Sequence, residues 1–253
     1  LIYYSLGDYD KAISRYESLL PMENASFSFS AMEKYCNMRA RQVVAKFRKG
    51  GAQIDELKVQ IDKVIRDLEN LLSYGETSER LSVLGSAYKR KAILGNMDER
   101  LDACSKAAYY YYTASNGKYQ SLYALSNWLQ MESLLVLHDK RKWGDEVLFT
   151  TGSYRLPVLS DAVAGIEKKL ELLASGFEGN MNYWEMSNEA NLRLSLLLMN
   201  PVQSFDDVMN AYMKVWQNAG SKGQKTSELE HFEFLTDSLA DSLSERSRPL
   251  SAW

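Results

Sequence analysis

The feature that most constrains the fold is a run of spaced apolar and small residues between positions 81 and 88. Leu81, Leu84, Gly85 and Tyr88 are spaced so that all four lie on one face of an α-helix. An incomplete upstream copy consists of Tyr3, Gly7, Ala12 and Tyr16, followed by Pro21. Glycine lets two helices approach closely, and aromatic rings fill the groove between neighbouring hairpins. The repeated spacing therefore predicts stacked helical hairpins that form a binding scaffold.

The composition fits an ordinary water-soluble chain. Its 253 residues are 45% apolar and 25% charged, with a net charge of −3, so neither nucleic acid nor a membrane is an expected partner. The four prolines are Pro21, Pro157, Pro201 and Pro249. Since all of them fall near expected helix ends or in the C-terminal tail, the sequence predicts an all-α fold.

Cysteine content and hydropathy indicate the compartment. Two cysteines, Cys36 and Cys104, are too few for a disulfide framework, so a reducing, cytoplasmic location is expected. The longest apolar run, 192–199, is too short to span a membrane and contains Arg193. Residues 1–7 show no initiator Met and no signal peptide, and are typical of a helix already under way. We therefore expect the chain to be cut from a longer protein.

Hydrophobic periodicity predicts about ten helices in antiparallel hairpins. Helix starts are expected at Asp8, at Ser26 or Ser28, and at Ser204, because these side chains can cap a helix N-terminus. The stretch 139–154 is polar, contains glycine and lacks a clear period, so a loop is expected there. The run at 81–88 resembles the opening of a tetratricopeptide (TPR) hairpin, and this resemblance implies TPR-like repeats forming an α-solenoid over 1–143. Further hairpins or a small bundle are predicted over 157–245, and they can also continue the first part.

One helix has a heptad pattern. Apolar residues from Ile54 to Leu71 recur at alternating steps of three and four, which is the spacing of a coiled-coil seam. The pattern favours an antiparallel hairpin with the preceding helix, since it covers fewer than three heptads. The alternative is a structural spacer or dimerisation element built on this seam.

Several segments resemble a known family. They are the run Glu79–Arg90, the stretch 123–128, and residues 211–216, 219–221 and 232–235. They are similar to the tetratricopeptide-like (TPR-like) region of bacterial multidomain proteins that carry a CHAT-type, caspase-like protease domain. The resemblance implies that this region is non-catalytic, and that it holds, senses or presents a protein partner while a protease lies elsewhere in the parent chain.

The alternative function, from a different functional class, is catalysis by this chain. A Cys-dependent hydrolase would pair Cys36 or Cys104 with His138 or His231, but all four fall in or beside predicted helices. No zinc-type spacing is present, and no cofactor is expected. Residues 220–223, Gly-Ser-Lys-Gly, superficially resemble a phosphate-binding loop but lack its Gly-Lys-Ser/Thr ending. A turn between helices is therefore expected there. Of Tyr109 to Tyr112, one or two should be core residues, because four consecutive helical residues point to all sides.

The predicted binding site is polar and faces a protein or peptide. It consists of five side chains on the face of the motif helix away from Leu81 and on the following equivalent helix: Ser82, Ser86, Lys89, Arg90 and Asn127. Lys and Arg there would pair with a carboxylate of the ligand, Arg in bidentate fashion. The alternative is that Lys89 and Arg90 belong to a solvated face.

Overall fold

The computed structural model describes residues 2–19, 28–149, 152–176, 181–200 and 204–246. These ranges contain eleven helices and one two-stranded sheet, so the predicted all-α fold of helical hairpins is confirmed. The helices are α1 (Ile2–Ser5), α2 (Tyr9–Glu17), α3 (Phe29–Lys49), α4 (Ile54–Leu72), α5 (Ser78–Leu94), α6 (Met97–Ser115), α7 (Leu122–Leu137), α8 (Leu159–Gly176), α9 (Tyr183–Met199), α10 (Phe205–Asn218) and α11 (Lys222–Arg246). None of them is long and apolar enough to cross a membrane.

The chain divides into two compact units. Unit 1 comprises residues 1–121 together with 221–227, and unit 2 comprises residues 122–220 together with 228–253. The domain ranges predicted from the sequence, 1–143 and 157–245, stay a prediction, because a division by contacts within one chain does not show which part folds alone.

Side-chain caps explain where the helices of unit 1 begin. The Asp8 carboxylate accepts a hydrogen bond from the Lys11 backbone N–H (3.1 Å), and the Ser28 hydroxyl accepts one from Ala31 (3.2 Å). Asn96 opens α6 with a reciprocal capping box that includes Glu99. Such bonds satisfy backbone donors that have no partner within the helix. The predicted starts at Asp8 and Ser28 are therefore confirmed, while Ser26, Pro21, Pro201 and Pro249 lie outside the described residues.

Helix α5 lies at the centre of unit 1, where it packs against α3, α4 and α6. The predicted seam of α4 is buried within this unit: Leu57, Ile61, Val64 and Leu68 are inaccessible to solvent. Gly85 allows the closest approach, because a Cβ there would lie 3.0 Å from two ring carbons of Tyr111. The expectation that Gly85 brings two helices together is thus confirmed, and the ring that uses the space belongs to α6.

Unit 2 is organised around α9, which packs against α7, α8 and α10. Its helix interfaces carry a connected set of buried polar groups. Tyr212 donates to the Asn191 side chain (2.9 Å), and Gln130 donates to the Asn191 carbonyl (3.1 Å) and to Ser195 (3.2 Å). Since buried polar groups cost free energy unless they are paired, these bonds favour one arrangement of α7, α9 and α10.

The expected loop at 139–154 is wrong in part, because this stretch contains an antiparallel hairpin of β1 (Glu146–Phe149) and β2 (Gly152–Arg155). Val147 pairs with Tyr154, and both side chains are buried, whereas Leu148 is exposed. Neither four-residue strand strictly alternates apolar with polar positions, so the pattern that predicts a strand is absent. The hairpin depends on tertiary contacts of Tyr154 that the sequence pattern does not reveal.

The predicted 220–223 turn is also corrected in part. Helix α11 begins at Lys222 and therefore includes part of this stretch. Here the Ser221 hydroxyl accepts a hydrogen bond from the Gln224 N–H (3.2 Å), which is a cap that permits this start.

Candidate functional site

The five predicted binding residues lie mostly inside the protein. On α5, Ser82, Ser86 and Arg90 are 6%, 7% and 7% exposed, and Lys89 is half-buried. Asn127, on α7 of unit 2, is 1% exposed. A helix that packs on only one side leaves its polar face in solvent. Because α5 has neighbours on several sides, its polar face is buried as well.

Hydrogen bonds within the protein use several of these groups. The Ser86 hydroxyl lies 2.9 Å from the Tyr111 hydroxyl, and the Arg90 guanidinium donates to the Asn37 side chain at 3.2 Å. The Asn127 amide donates to the Tyr123 carbonyl at 2.9 Å. Through these bonds, the three side chains stabilise helix packing. The predicted site stays a prediction, and Lys89 is its most accessible member.

The run of four tyrosines on α6 divides as expected between core and boundary. Tyr111 is fully buried beside Gly85, while its three neighbours are half-buried. Tyr110 stacks on Tyr88 with ring centroids 5.6 Å apart, and Tyr88 donates to Glu69 at 2.7 Å. Burial is the main cause that raises the pKa of Tyr110 to about 12 and the pKa of Tyr88 further. The run therefore contributes to the packing of unit 1.

A more accessible site is a cleft in unit 1, which we call the lysine cleft. It has a volume of about 440 Å³, within the range of about 300–1,000 Å³ typical of small-ligand sites. Its charged and amide lining residues are Asp8, Asp10, Lys11, Gln42, Lys46, Lys49 and Lys222, and its aromatic ones are Tyr3 and Tyr9. These residues come from the α1–α2 region, the C-terminal half of α3 and the first residue of α11.

Cations outnumber carboxylates in the lysine cleft. Asp8 pairs with Lys11 at 2.9 Å, and this hydrogen bond is the main cause that lowers the pKa of Asp8. Asp10 accepts a hydrogen bond from the Gln42 amide at 2.6 Å, which does not neutralise its charge. Among the described residues, no carboxylate lies within ion-pair distance of Lys46, Lys49 or Lys222. The cleft therefore presents a net positive charge.

The start of α11 completes this cleft by packing closely against α1 and α3. A Cβ on Gly223 would lie 2.9 Å from the Tyr4 carbonyl oxygen, so the small residue is needed for this approach. The Arg41 guanidinium donates to the Ser227 hydroxyl at 3.0 Å. Lys46 and Lys49 are recognisable in the sequence as a basic helix end, but their proximity to Lys222 follows only from the tertiary fold.

A second polar cluster lies in unit 2, where the β-hairpin meets α7. Glu132 is 0% exposed, and one of its carboxylate oxygens accepts hydrogen bonds from Arg141 (2.5 Å) and from the Tyr154 hydroxyl. Burial raises the pKa of Glu132, while the Arg141 charge opposes that shift. The Trp128 ring meets the Tyr154 ring edge to face at 6.0 Å. The cluster attaches the hairpin to α7.

The cysteines and the histidines of the hydrolase alternative belong to different units of the chain. Cys36 and Cys104 are buried in unit 1, and burial raises the pKa of the Cys36 thiol to about 12. A thiol with such a pKa holds its proton at neutral pH, whereas catalysis needs the thiolate. His138 and His231 belong to unit 2, where His138 Nε2 lies 3.3 Å from the Ser238 carbonyl.

In the part of the chain that the structure describes, no three His, Cys, Asp or Glu side chains form a group suited to holding a metal ion.

Residues 8–132 match the family model described as Tetratricopeptide Repeats-Sensor. The match extends from α2 into α7 and supports a TPR-like helical-repeat region there. Repeats of this type present extended surfaces on which proteins bind, so the match indicates a protein-interaction scaffold. No curated protein and no solved structure matches the chain.

Proposed function

We propose that this chain is a non-catalytic scaffold that binds a protein or peptide. The observation that carries the proposal is the agreement between the TPR-type match over residues 8–132 and the paired helices of the same region. A stack of hairpins offers a broad surface whose backbone is fixed by internal packing, so a ligand is bound without a large ordering cost in the receptor.

The lysine cleft supports the proposal because it adds a concave, charged surface to unit 1. Its lining combines ammonium groups, an amide and tyrosine rings, which together recognise carboxylates, backbone amides and apolar side chains. The surface of α5 around Lys89 is the second candidate for binding the partner. Arg90 is unsuited to a test by charge reversal, because a Glu at that buried position would destabilise the fold as well as any site.

The parent protein is a separate part of the proposal. We propose that the chain is one region of a larger bacterial, cytoplasmic protein linked to a CHAT-type protease. Its support is the resemblance carried by residues 79–90 and by the shorter segments named above. The open reading frame around this region tests it directly, since the proposal requires a caspase-like domain in the same polypeptide.

The binding function is tested with an array of peptides of unrelated sequence, probed with the folded chain and with the same chain after thermal unfolding. We expect a subset of peptides to bind only the folded chain, saturably, and to be recovered intact by mass spectrometry. Binding that survives unfolding, or the absence of any saturable ligand, contradicts the scaffold function. Peptide cleavage that requires Cys36 or Cys104 would favour the hydrolase alternative instead.

A further inference from the structure

We propose that the lysine cleft binds an acidic peptide segment, with carboxylates of the segment placed against the ammonium groups of Lys46 and Lys222. The inference rests on the proposed scaffold function and names the chemistry of its partner. Charge complementarity, the composition of the lining and the rigidity of the walls favour this occupant.

Charge complementarity is the first argument. Lys46, Lys49 and Lys222 line one cleft of unit 1, and the described residues place no carboxylate within ion-pair distance of any of them. Like charges gathered in a concave surface raise the local potential and attract counter-charges. The Asp8 carboxylate is already engaged by Lys11 at 2.9 Å. The remaining ammonium groups therefore favour a ligand with two or more negative charges.

The composition of the lining favours a peptide over other anions. Gln42 contributes an amide whose nitrogen donates to Asp10, and Tyr3 and Tyr9 contribute aromatic surface. Amides and tyrosines are suited to peptide backbone and side chains. A nucleic acid is disfavoured because the whole chain has a net charge of −3 and a pI of about 5.6, which repels a long polyanion. A short acidic segment meets mainly the local field of the cleft.

The rigidity of the walls is the third argument. Gly223 brings the start of α11 against the Tyr4 carbonyl, where a Cβ would be only 2.9 Å away, and Arg41 bonds Ser227 at 3.0 Å. These contacts fix Lys222 relative to α1 and α3 within unit 1. Groups that are held in place before binding lose less entropy when the ligand arrives. The cleft is thus a prepared surface on which the acidic segment binds.

The test measures fluorescence anisotropy of a short labelled peptide in which glutamate alternates with serine. Its matched neutral probe has glutamine in place of glutamate, and a labelled single-stranded oligothymidylate is the third probe. The cleft variant is Lys46→Glu with Lys222→Glu. The control variant is Lys63→Glu with Lys168→Glu, which changes two exposed lysines outside the cleft and alters the net charge by the same amount.

We expect the acidic peptide to bind the unmodified chain and the neutral peptide to bind much more weakly. The cleft variant should lose about tenfold or more in affinity, because reversal replaces attraction by repulsion at two contacts. The control variant should stay within about twofold. Added salt should weaken binding to the unmodified chain and have little effect on the cleft variant. The milder pair Lys46→Gln with Lys222→Gln, checked by thermal melting, covers the case in which reversal disturbs folding.

Three results would overturn the inference: equal binding of the glutamine peptide, an equal loss in the cleft and control variants, or stronger binding of the oligothymidylate than of the acidic peptide. If the acidic peptide fails while array peptides still bind the folded chain, the cleft assignment is wrong and the scaffold function stands. If no array peptide binds either, the scaffold function fails with it.

Discussion

At the scale of single residues, Gly85 and Arg80 show how unit 1 is fixed. Gly85 leaves no room for a side chain beside Tyr111. The Arg80 guanidinium donates to Glu33 at 2.8 Å and to the Leu71 carbonyl at 2.8 Å, and it also donates to the Gly75 carbonyl. Both residues of the ion pair are buried. Each residue holds α5 against a neighbouring element, so we expect a substitution at either position to lower the stability of unit 1.

Gly85→Ala should destabilise unit 1, although alanine favours helices by about 1 kcal/mol. The added Cβ would meet two carbons of the buried Tyr111 ring at 3.0 Å, and overpacking typically costs about 1–3 kcal/mol. Gly165→Ala on α8 is the matched control, because nothing lies within 4 Å of its Cβ position. We expect urea denaturation to show a lower midpoint for the first variant and a higher one for the second. Equal gains in both would mean that Tyr111 moves aside.

Arg80→Met should cost about 3–5 kcal/mol in the free energy of unfolding, because it leaves Glu33 buried without its partner. Arg193→Met is the matched control on α9, where the pair with Glu189 (2.7 Å) is partly exposed and is worth at most about 1 kcal/mol. Chemical denaturation of both variants measures the difference. A second change, Glu33→Gln, should recover part of the loss in Arg80→Met. Similar costs for the two arginine variants would contradict the importance of burial.

At the scale of elements, the β-hairpin shows how a short element depends on tertiary contacts. Its two strands are attached to α7 through Tyr154, which donates to Glu132 and packs against Trp128. Val147 is the only other buried side chain of the two strands. Since an isolated two-stranded hairpin is marginal in water, we infer that the contacts with α7 determine whether it forms.

Tyr154→Phe should loosen the hairpin while leaving the helices intact, because the aromatic ring is kept while the hydroxyl loses its bond to the buried Glu132 and the bond that it accepts from Arg141 (2.9 Å). Loss of such a bond costs about 1–3 kcal/mol. Hydrogen exchange of residues 146–155 should accelerate. Tyr119→Phe is the control, since its hydroxyl donates to the exposed Glu76 carbonyl in unit 1 (3.0 Å). Unchanged hydrogen exchange in the Tyr154 variant would show that the contacts of Arg141 and Val147 suffice to keep the hairpin formed.

Helices were predictable from the sequence where they are long, periodic and capped. The seam of α4 and the starts at Asp8 and Ser28 needed only spacing and local hydrogen-bond chemistry. The surroundings of α5 were not predictable in that way. A periodicity argument assigns each helix one buried face, whereas Arg90 shows that neighbours on several sides bury the polar face too. The lysine cleft depends on residues 46 and 222, which only the tertiary structure brings to one surface.

At the scale of the whole molecule, buried tyrosines link folding to alkaline pH. Burial raises the pKa of Tyr35 to about 12, with a hydrogen bond to Glu17 as a further cause. Burial likewise raises the pKa of Tyr110 to about 12. In the unfolded chain, tyrosine loses its proton near pH 10. Between these values the folded state holds more protons than the unfolded state, so stability must fall as pH rises.

We therefore expect the urea midpoint to decline most steeply between about pH 10 and pH 12. The buried Cys36 thiol, whose pKa is also raised to about 12, adds a shallower decline that begins near the pKa of a free thiol, about 8.5. The double variant Tyr35→Phe with Tyr110→Phe should decline less steeply, because it removes two of the groups involved. Denaturation at a series of pH values measures how steeply the midpoint falls in each protein. Tyrosinate absorbance of the folded chain should rise at a higher pH than that of the unfolded chain. A midpoint that is flat through this range would contradict the expected linkage.

The discontinuity of unit 1 has a consequence for biosynthesis. Its last residues, 221–227, are made after residues 122–220, which take on the order of 5–20 s to synthesise at about 5–20 residues per second. During that interval the Tyr4 carbonyl and the Arg41 guanidinium lack their contacts with Gly223 and Ser227. Unit 1 therefore completes its packing only after residues 221–227 have been made. A ribosome that pauses before residue 221 would leave this part of the chain incomplete for the length of the pause.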